Sequence, residues 1–335
     1  MQDLLRTLVE WIEIPSVTGD EGDYGDALGR ALEARGFDVE RQEVQPGRFN
    51  LLARAGRPEV VVCTHLDTVP PYFGARQDAD FIHGRGSCDA KGQAAAMLAA
   101  GTRLLASGED RIGFLFTVGE ETDSAGAERA NAQLADPWAP RWTVIGEPTD
   151  STFISGHKGL FKACLAGHGV AGHSSQDVGP SALHEMIGAM GRLLAQDWGN
   201  HRTLGRGTIN VGRMRGGVAA NVNAAQAEAE VLLRIVEDPA VVEQRLRASL
   251  GEHVTLELVS NRCGPVEFHV PAGEEGVSAA FGTDAPHLAN WGTPLLFGAG
   301  SIRDAHTDHE KVGVKELIAC SLRHERTVRE LLAGD

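Results

Sequence analysis

The chain has 335 residues, 42% hydrophobic and 23% charged, with 31 basic against 46 acidic side chains and a formal net charge of −15. That is about two domains' worth of an ordinary globular protein, and the acidic balance, with no basic run, excludes nucleic acid and anionic membrane as partners. No apolar run approaches the roughly 20 residues of a membrane span; the start lacks a secretory signal, and five widely spaced cysteines suit reduced thiols, so a cytoplasmic protein is expected.

Apolar spacing near 3.6 predicts helices over 3–13 and 21–36, the second closed by Gly36. Strands are expected over 37–44, 49–54 and 59–64, the last running through Val60, Val61, Val62, Cys63 and Thr64 into His65, with Asp67 two residues on. Asp89 stands in Gly84-Arg85-Gly86-Ser87-Cys88-Asp89-Ala90-Lys91-Gly92, just ahead of a helix over 92–106. A strand over 112–118 leads to the pair Glu120 and Glu121, and 142–146 leads to Glu147. This alternation implies an α/β domain with a mixed, mostly parallel sheet and helices on both faces.

Between 157 and 265 the rhythm changes to strand (158–166), helix (180–195), strand (207–213), strand (224–236), helix (238–250) and strand (253–259). That order is βαββαβ, a ferredoxin-like α+β unit. A strand at 295–297, shortly before His306, and a helix over 314–332 resume the earlier alternation. The expected domains are therefore a first catalytic part at 1–156, an inserted domain at 157–265 and a second catalytic part at 266–335, with hinges near Ser155-Gly156 and Gly264-Pro265.

Several candidate ligands follow strand-like runs, so an open sheet would gather them at the carboxyl ends of its strands, where such sheets bind ligands. Two divalent ions about 3.5–4 Å apart need a bridging ligand, which a carboxylate can be and an imidazole cannot. Asp89 is the candidate bridge, with His65 and Glu147 completing one shell and Glu121 and His306 the other. These carboxylates and one bridging hydroxide neutralise two divalent ions. Asp67 is placed to accept the second imidazole N–H of His65, leaving Glu120 unligated as general base and then acid for hydrolysis of an amide.

Each residue also has a plainer reading. A lone His-x-Asp is usually chance, adjacent glutamates are usually a solvated pair, Asp89 could only cap a helix, and Glu147 before Pro148 could be an extended turn residue. His309 competes with His306, Cys88 fits as a packed neighbour of Asp89, and His157 and Lys158 are open as substrate contacts. Gly167-His168-Gly169-Val170-Ala171-Gly172 formally fits a dinucleotide fingerprint, but the polar, proline-broken segment after it cannot open the required helix. A metal-free binding protein on the same fold is the rival from another class.

Taken together, Thr64-His65-Leu66-Asp67-Thr68-Val69-Pro70, the 84–92 segment, Glu120-Glu121, Gly146-Glu147-Pro148, Gly172-His173-Ser174-Ser175, Gly298-Ala299-Gly300-Ser301 and Ala305-His306-Thr307 resemble the acetylornithine deacetylase, succinyl-diaminopimelate desuccinylase, aminoacylase and glutamate carboxypeptidase family of two-zinc amidohydrolases. The resemblance spans nearly the whole chain. It implies two Zn2+ ions per chain, with Co2+ as a substitute, a cis peptide after Asp89, and an inserted domain that serves as lid and homodimer surface. It further implies that His173 helps polarise the scissile carbonyl, and that Asn221 and Arg234 bind the substrate's carboxylate and reacting group. Glu147 with Gly298-Ala299-Gly300-Ser301-Ile302 leans towards deacylases of amino-acid biosynthesis, nearest to acetylornithine deacetylase. Ala299, where relatives often have proline, and the short chain depart from the pattern. The implied substrate is an N-acyl amino acid such as N-acetylornithine; the alternatives are a dipeptidase or carboxypeptidase, or a hydrolase of carrier-protein-linked lysine or ornithine.

Overall fold

The computed structural model describes residues 2–334. The chain divides into two compact units, one of Met1–Ser155, Glu267–Val277 and Thr283–Asp335, the other of Gly156–Val266 and Ser278–Gly282.

The first unit is built on a six-stranded sheet in the order Asp38–Gln45, Arg48–Arg54, Ile112–Thr117, Val60–His65, Trp142–Ile145, Thr293–Leu296. The three pairings from Ile112–Thr117 to Thr293–Leu296 are parallel, and the two at the other edge are antiparallel. Every residue of Val60–His65 and Ile112–Thr117 is buried, as befits strands covered on both faces. Val60, Val62, Phe114 and Phe116 enter the main core with Leu8, Leu28, Met97, Phe297 and Leu317, while the alternate residues Val61, Cys63 and Leu115 are buried on the other face.

Helix Lys91–Ala106 is buried along most of its length because alanines and Gly101 line it, which lets it sit between helices Gln2–Ile12 and Val314–Ala333. The expected helix over 21–36 runs only from Gly22 to Glu33; tight turns onto Leu32 and Glu33 end it, and Gly36 takes φ +90° there. Helix Ala125–Ala132 and the small sheet of Arg76–Gln77, Phe81–His83 and Lys311–Gly313 were not legible in the sequence pattern, being too short to show a period. All five cysteines are free. Among the described residues no helix is long and apolar enough to cross a membrane.

The second unit follows the βαββαβ order. Strands Thr208–Gly216, Gln226–Ile235, Gly159–His168 and Val254–Cys263 form an antiparallel sheet in that spatial order. Helices Ala182–Ala195 and Pro239–Leu250 pack on it around Phe161, Leu165, Met186, Leu193, Val231 and Leu246. Strand Val254–Cys263 outruns the expected 253–259 because two register irregularities let it follow its long neighbour to Leu160. The Gly167–Gly172 segment leads into the short strand Gly172–His173 rather than a helix.

Candidate metal centre

His65, the Glu120–Glu121 pair and Glu147 stand at or just beyond the carboxyl ends of parallel strands, while Asp89 precedes helix Lys91–Ala106 and His306 lies in the loop before Lys311–Gly313. His65 is the last residue of Val60–His65 and is 1% exposed. Its Nδ1 lies 2.9 Å from the carbonyl oxygen of Asp67, and its Nε2 lies 2.9 Å from Asp89 Oδ1 and 3.9 Å from Glu147 Oε1. Because a carbonyl can only accept, Nδ1 carries a proton and Nε2 is the atom turned towards the carboxylates. The other oxygen of Asp89 lies 3.2 Å from His306 Nε2, and that nitrogen is 3.0 Å from each oxygen of Glu121. One carboxylate therefore stands between two imidazoles that are 241 residues apart in the chain. The Asp89–Ala90 peptide is cis, and His306 has φ +63°.

Asp67 meets His65 through its main chain more closely than through its carboxylate. The partner of His65 Nδ1 is the Asp67 main-chain oxygen, while Oδ1 of the same residue stands farther off at 3.5 Å. The fully buried carboxylate is engaged elsewhere: Oδ1 accepts the N–H groups of Gly119 at 3.1 Å and Glu120 at 3.2 Å, and Oδ2 accepts that of Glu121 at 3.2 Å and the Thr18 hydroxyl at 2.8 Å. It organises the turn that follows strand Ile112–Thr117, where Gly119 at φ +82° breaks the strand. That turn lets adjacent Glu120 and Glu121 differ in direction. Asn50 steadies it from beneath, accepting Val118 N–H and donating to the Gly126 carbonyl.

The cluster is dense in acid. Burial, together with the charges of Glu147, Asp284 and Glu121, pushes the Glu120 carboxyl well above its ordinary range. Burial likewise raises Glu121 and Glu147. Asp89 goes the other way: burial would raise it, but hydrogen bonds from His306 and His65 outweigh that and hold it low. His306 is pushed up to about 10 by its hydrogen bonds to Asp89 and Glu121. Buried carboxylates set beside two imidazoles form a donor set whose chemistry suits divalent cations. One donor atom from each of His65, Asp89 and Glu121 lies within 4.8 Å of the others, so metal-ligating groups from three separate parts of the chain meet around Asp89.

Three neighbours were not singled out from the sequence. Asp284 is 3% exposed and accepts from Thr117 Oγ1 at 2.7 Å, its carboxyl raised chiefly by burial. Glu310, fully buried, takes the N–H groups of Cys88 and Asp89 on one oxygen. Gln93 joins the Cys88 and Ala299 carbonyls through its Nε2. None falls at a strand end or in a recognisable spacing, so no local signal marked them.

His173, Asn221 and Arg234 belong to the second unit. His173 pairs with Val222 in a two-residue ladder, the Ser174 N–H bonds the Asn221 carbonyl at 3.0 Å, and both His173 and Asn221 are exposed. Arg234 lies opposite Thr208 and Leu160 in the sheet and has no carboxylate partner among the described residues. His157 is fully buried, and Lys158 donates to the Arg206 carbonyl. His309 is exposed and meets Asp308 at 2.8 Å.

The family profile described as Peptidase family M20/M25/M40 matches residues 61–330. The chain belongs to that family. It is accordingly a hydrolase, and its fold is that of M20 peptidases. A probable carboxypeptidase of Aspergillus terreus is 35% identical over 351 residues, covering 91% of this chain and 81% of its own. In fold, this M20 chain is similar to a tripeptidase of Staphylococcus aureus, with a TM-score of 0.79 and 22% identity over 98% of this chain and 99% of that one. It is also similar to the Bacillus subtilis protein YXEP, described as a dinuclear metal-binding peptidase of the M20 family, with a TM-score of 0.72 and 16% identity over 98% and 97% of the two chains.

Proposed function

We propose that this M20 enzyme uses two divalent cations, zinc with cobalt as a substitute, to hydrolyse a linear amide whose nitrogen belongs to an amino acid with a free carboxylate. The observation that carries the reading is Asp89, whose two oxygens face different imidazoles at 2.9 and 3.2 Å. In this reading His65, Asp89 and Glu147 hold one cation, and Asp89, Glu121 and His306 the other. When bound, such a pair supplies Lewis acidity to the carbonyl and lowers the pKa of water to about 7.

The chain's own residues do the rest. The Asp67 carbonyl fixes the tautomer of His65, and the Asp67 carboxylate holds the Glu120–Glu121 turn. Glu120, assigned to neither cation, takes a proton from the attacking water as its oxygen joins the carbonyl carbon. It passes that proton to the leaving nitrogen as the C–N bond breaks, so the products are a carboxylate and a free amine. His173 is assigned to polarise the carbonyl, and Asn221 and Arg234 to bind the substrate's carboxylate and reacting group, a guanidinium being well shaped for a carboxylate. The second unit is assigned the roles of lid and homodimer surface.

Removal of an acyl group from an N-acyl amino acid such as N-acetylornithine is the first substrate reading. Release of the C-terminal residue of a short peptide is the second, favoured by the description of the A. terreus relative. Both break the same bond type. Side-by-side assays of N-acetylornithine, N-acetylcitrulline, N-succinyl-diaminopimelate and a set of dipeptides and tripeptides, with cations counted on protein purified without chelator, test the proposal. About two cations per chain and turnover of at least one substrate class are expected. A chain that binds no cation under these conditions refutes the reading.

A further inference from the structure

The peptide group joining Cys88 to Asp89 is held at both ends. Its carbonyl accepts from Gln93 Nε2 at 2.7 Å, and its N–H donates to Glu310 Oε1 at 3.1 Å. The same Glu310 oxygen takes the Cys88 N–H at 3.1 Å, with the Cys88 thiol at 3.6 Å. The other oxygen, Oε2, receives Arg85 Nη1 at 2.6 Å. Arg85 is 1% exposed, lies 5.1 Å over the Phe73 ring and donates through Nε to the Pro71 carbonyl. The Glu310 carbonyl in turn accepts the Gly84 N–H at 3.1 Å.

We infer that Glu310, paired with Arg85, is the positioning residue that aims the Asp89 carboxylate between His65 and His306. This deepens the two-cation reading and rests on it. With its peptide group pinned on both edges, Asp89 keeps freedom only about its side-chain torsions, so its oxygens stay aligned with two separate imidazoles. Glu310 follows His306 by four residues in the same loop, so one side chain couples the loop carrying that imidazole to the turn carrying the shared carboxylate. Only a carboxylate meets the demand, since every neighbour presents a donor. In a glutamine, one end of the amide would turn its NH2 against either the two backbone N–H groups or the guanidinium. A buried ion pair is a weak source of net stability, so its contribution here is direction.

The test titrates the metal-free full-length wild type and the variants Glu310→Gln and Glu310→Asp with Co2+, followed by calorimetry and by visible absorption, with circular dichroism to check the fold. Glu310→Gln should keep its fold, bind Co2+ about ten- to a hundredfold more weakly, as loss of an outer partner of a ligand does, and show an altered visible spectrum. Glu310→Asp keeps the charge but shortens the reach, and should shift binding in the same direction. Binding within threefold of wild type and an unchanged spectrum in a folded variant would overturn the inference while leaving the two-cation reading intact. A wild type that binds no Co2+ overturns both.

Discussion

Replacing Asp67 by asparagine removes one charge and leaves the shape of the side chain nearly unchanged. The carboxylate accepts four hydrogen bonds, from Gly119, Glu120, Glu121 and Thr18. An asparagine oxygen can keep the two from Gly119 and Glu120, and the Thr18 hydroxyl can reverse to accept from the new NH2. The Glu121 N–H is then left facing a donor. A stranded buried amide costs about 1–3 kcal/mol, and each retained bond drops from charge-assisted to neutral strength, roughly 1 kcal/mol apiece, for a total of about 3–5 kcal/mol. That is within the usual stability of a folded protein, so the variant should fold, but with the Glu120–Glu121 turn displaced. A misplacement near 1 Å can cost about a hundredfold in rate. Urea unfolding, kcat on the best substrate and cation stoichiometry should all fall in Asp67→Asn, whereas Thr18→Ala, which removes a single hydroxyl donor, should lose about 1 kcal/mol and keep most activity. If Asp67→Asn retains kcat within threefold and its full cation content, the carboxylate does not hold the turn as argued.

Glu120→Gln should keep its cations and lose about 10² to 10⁴ in rate; activity near wild type would remove Glu120 from its proposed role. In Gly300→Ala the new Cβ would lie 2.4 Å from Cys88 Cβ at a residue with φ +84°. Strain and overpacking together should lower stability by about 2–4 kcal/mol in urea unfolding, and an unchanged midpoint would contradict the packing described. His324 is fully buried against Phe297, its two ring nitrogens lacking partners among the described residues, and burial pulls its pKa down to about 3. Its folded value is depressed, so above pH 6.5 it is neutral in both states; as pH falls below 6.5 only the unfolded chain takes the proton. Stability should drop by about 1.4 kcal/mol per unit, roughly 2 kcal/mol by pH 5. His324→Leu should erase that part of the slope, and equal pH dependence in the two proteins would disprove the burial argument.

His65, the Glu120–Glu121 pair and Glu147 could be picked out from the chain because each follows an apolar run, whereas Asp89 and His306 do not. Val60–His65 and Trp142–Ile145 are strands whose next polar residue must emerge at the rim, and parallel pairing places such rims side by side. The βαββαβ unit was legible for the same reason, since its alternating periods of two and 3.6 are local properties. At Asp67 the main-chain oxygen makes the nearer approach to the imidazole, with the carboxylate farther off. Spacing of two residues brings the residue near the imidazole, yet whether carbonyl or carboxylate makes the bond depends on the backbone turning after His65 and on donors from Gly119–Glu121, more than 50 residues away.

The chain by itself determined the classes of element, the donor types and the chemistry they permit, because hydrophobic periodicity and side-chain functional groups are carried by neighbouring residues. Only the tertiary structure decided which donors converge on Asp89 and how its peptide is held. Glu310 and Arg85 are 225 residues apart, and Gln93 and Ala299 are 206 apart. Hydrogen bonding over such separations leaves no period in the sequence. It exists only where strand order and loop closure bring the partners within 3 Å or so of each other.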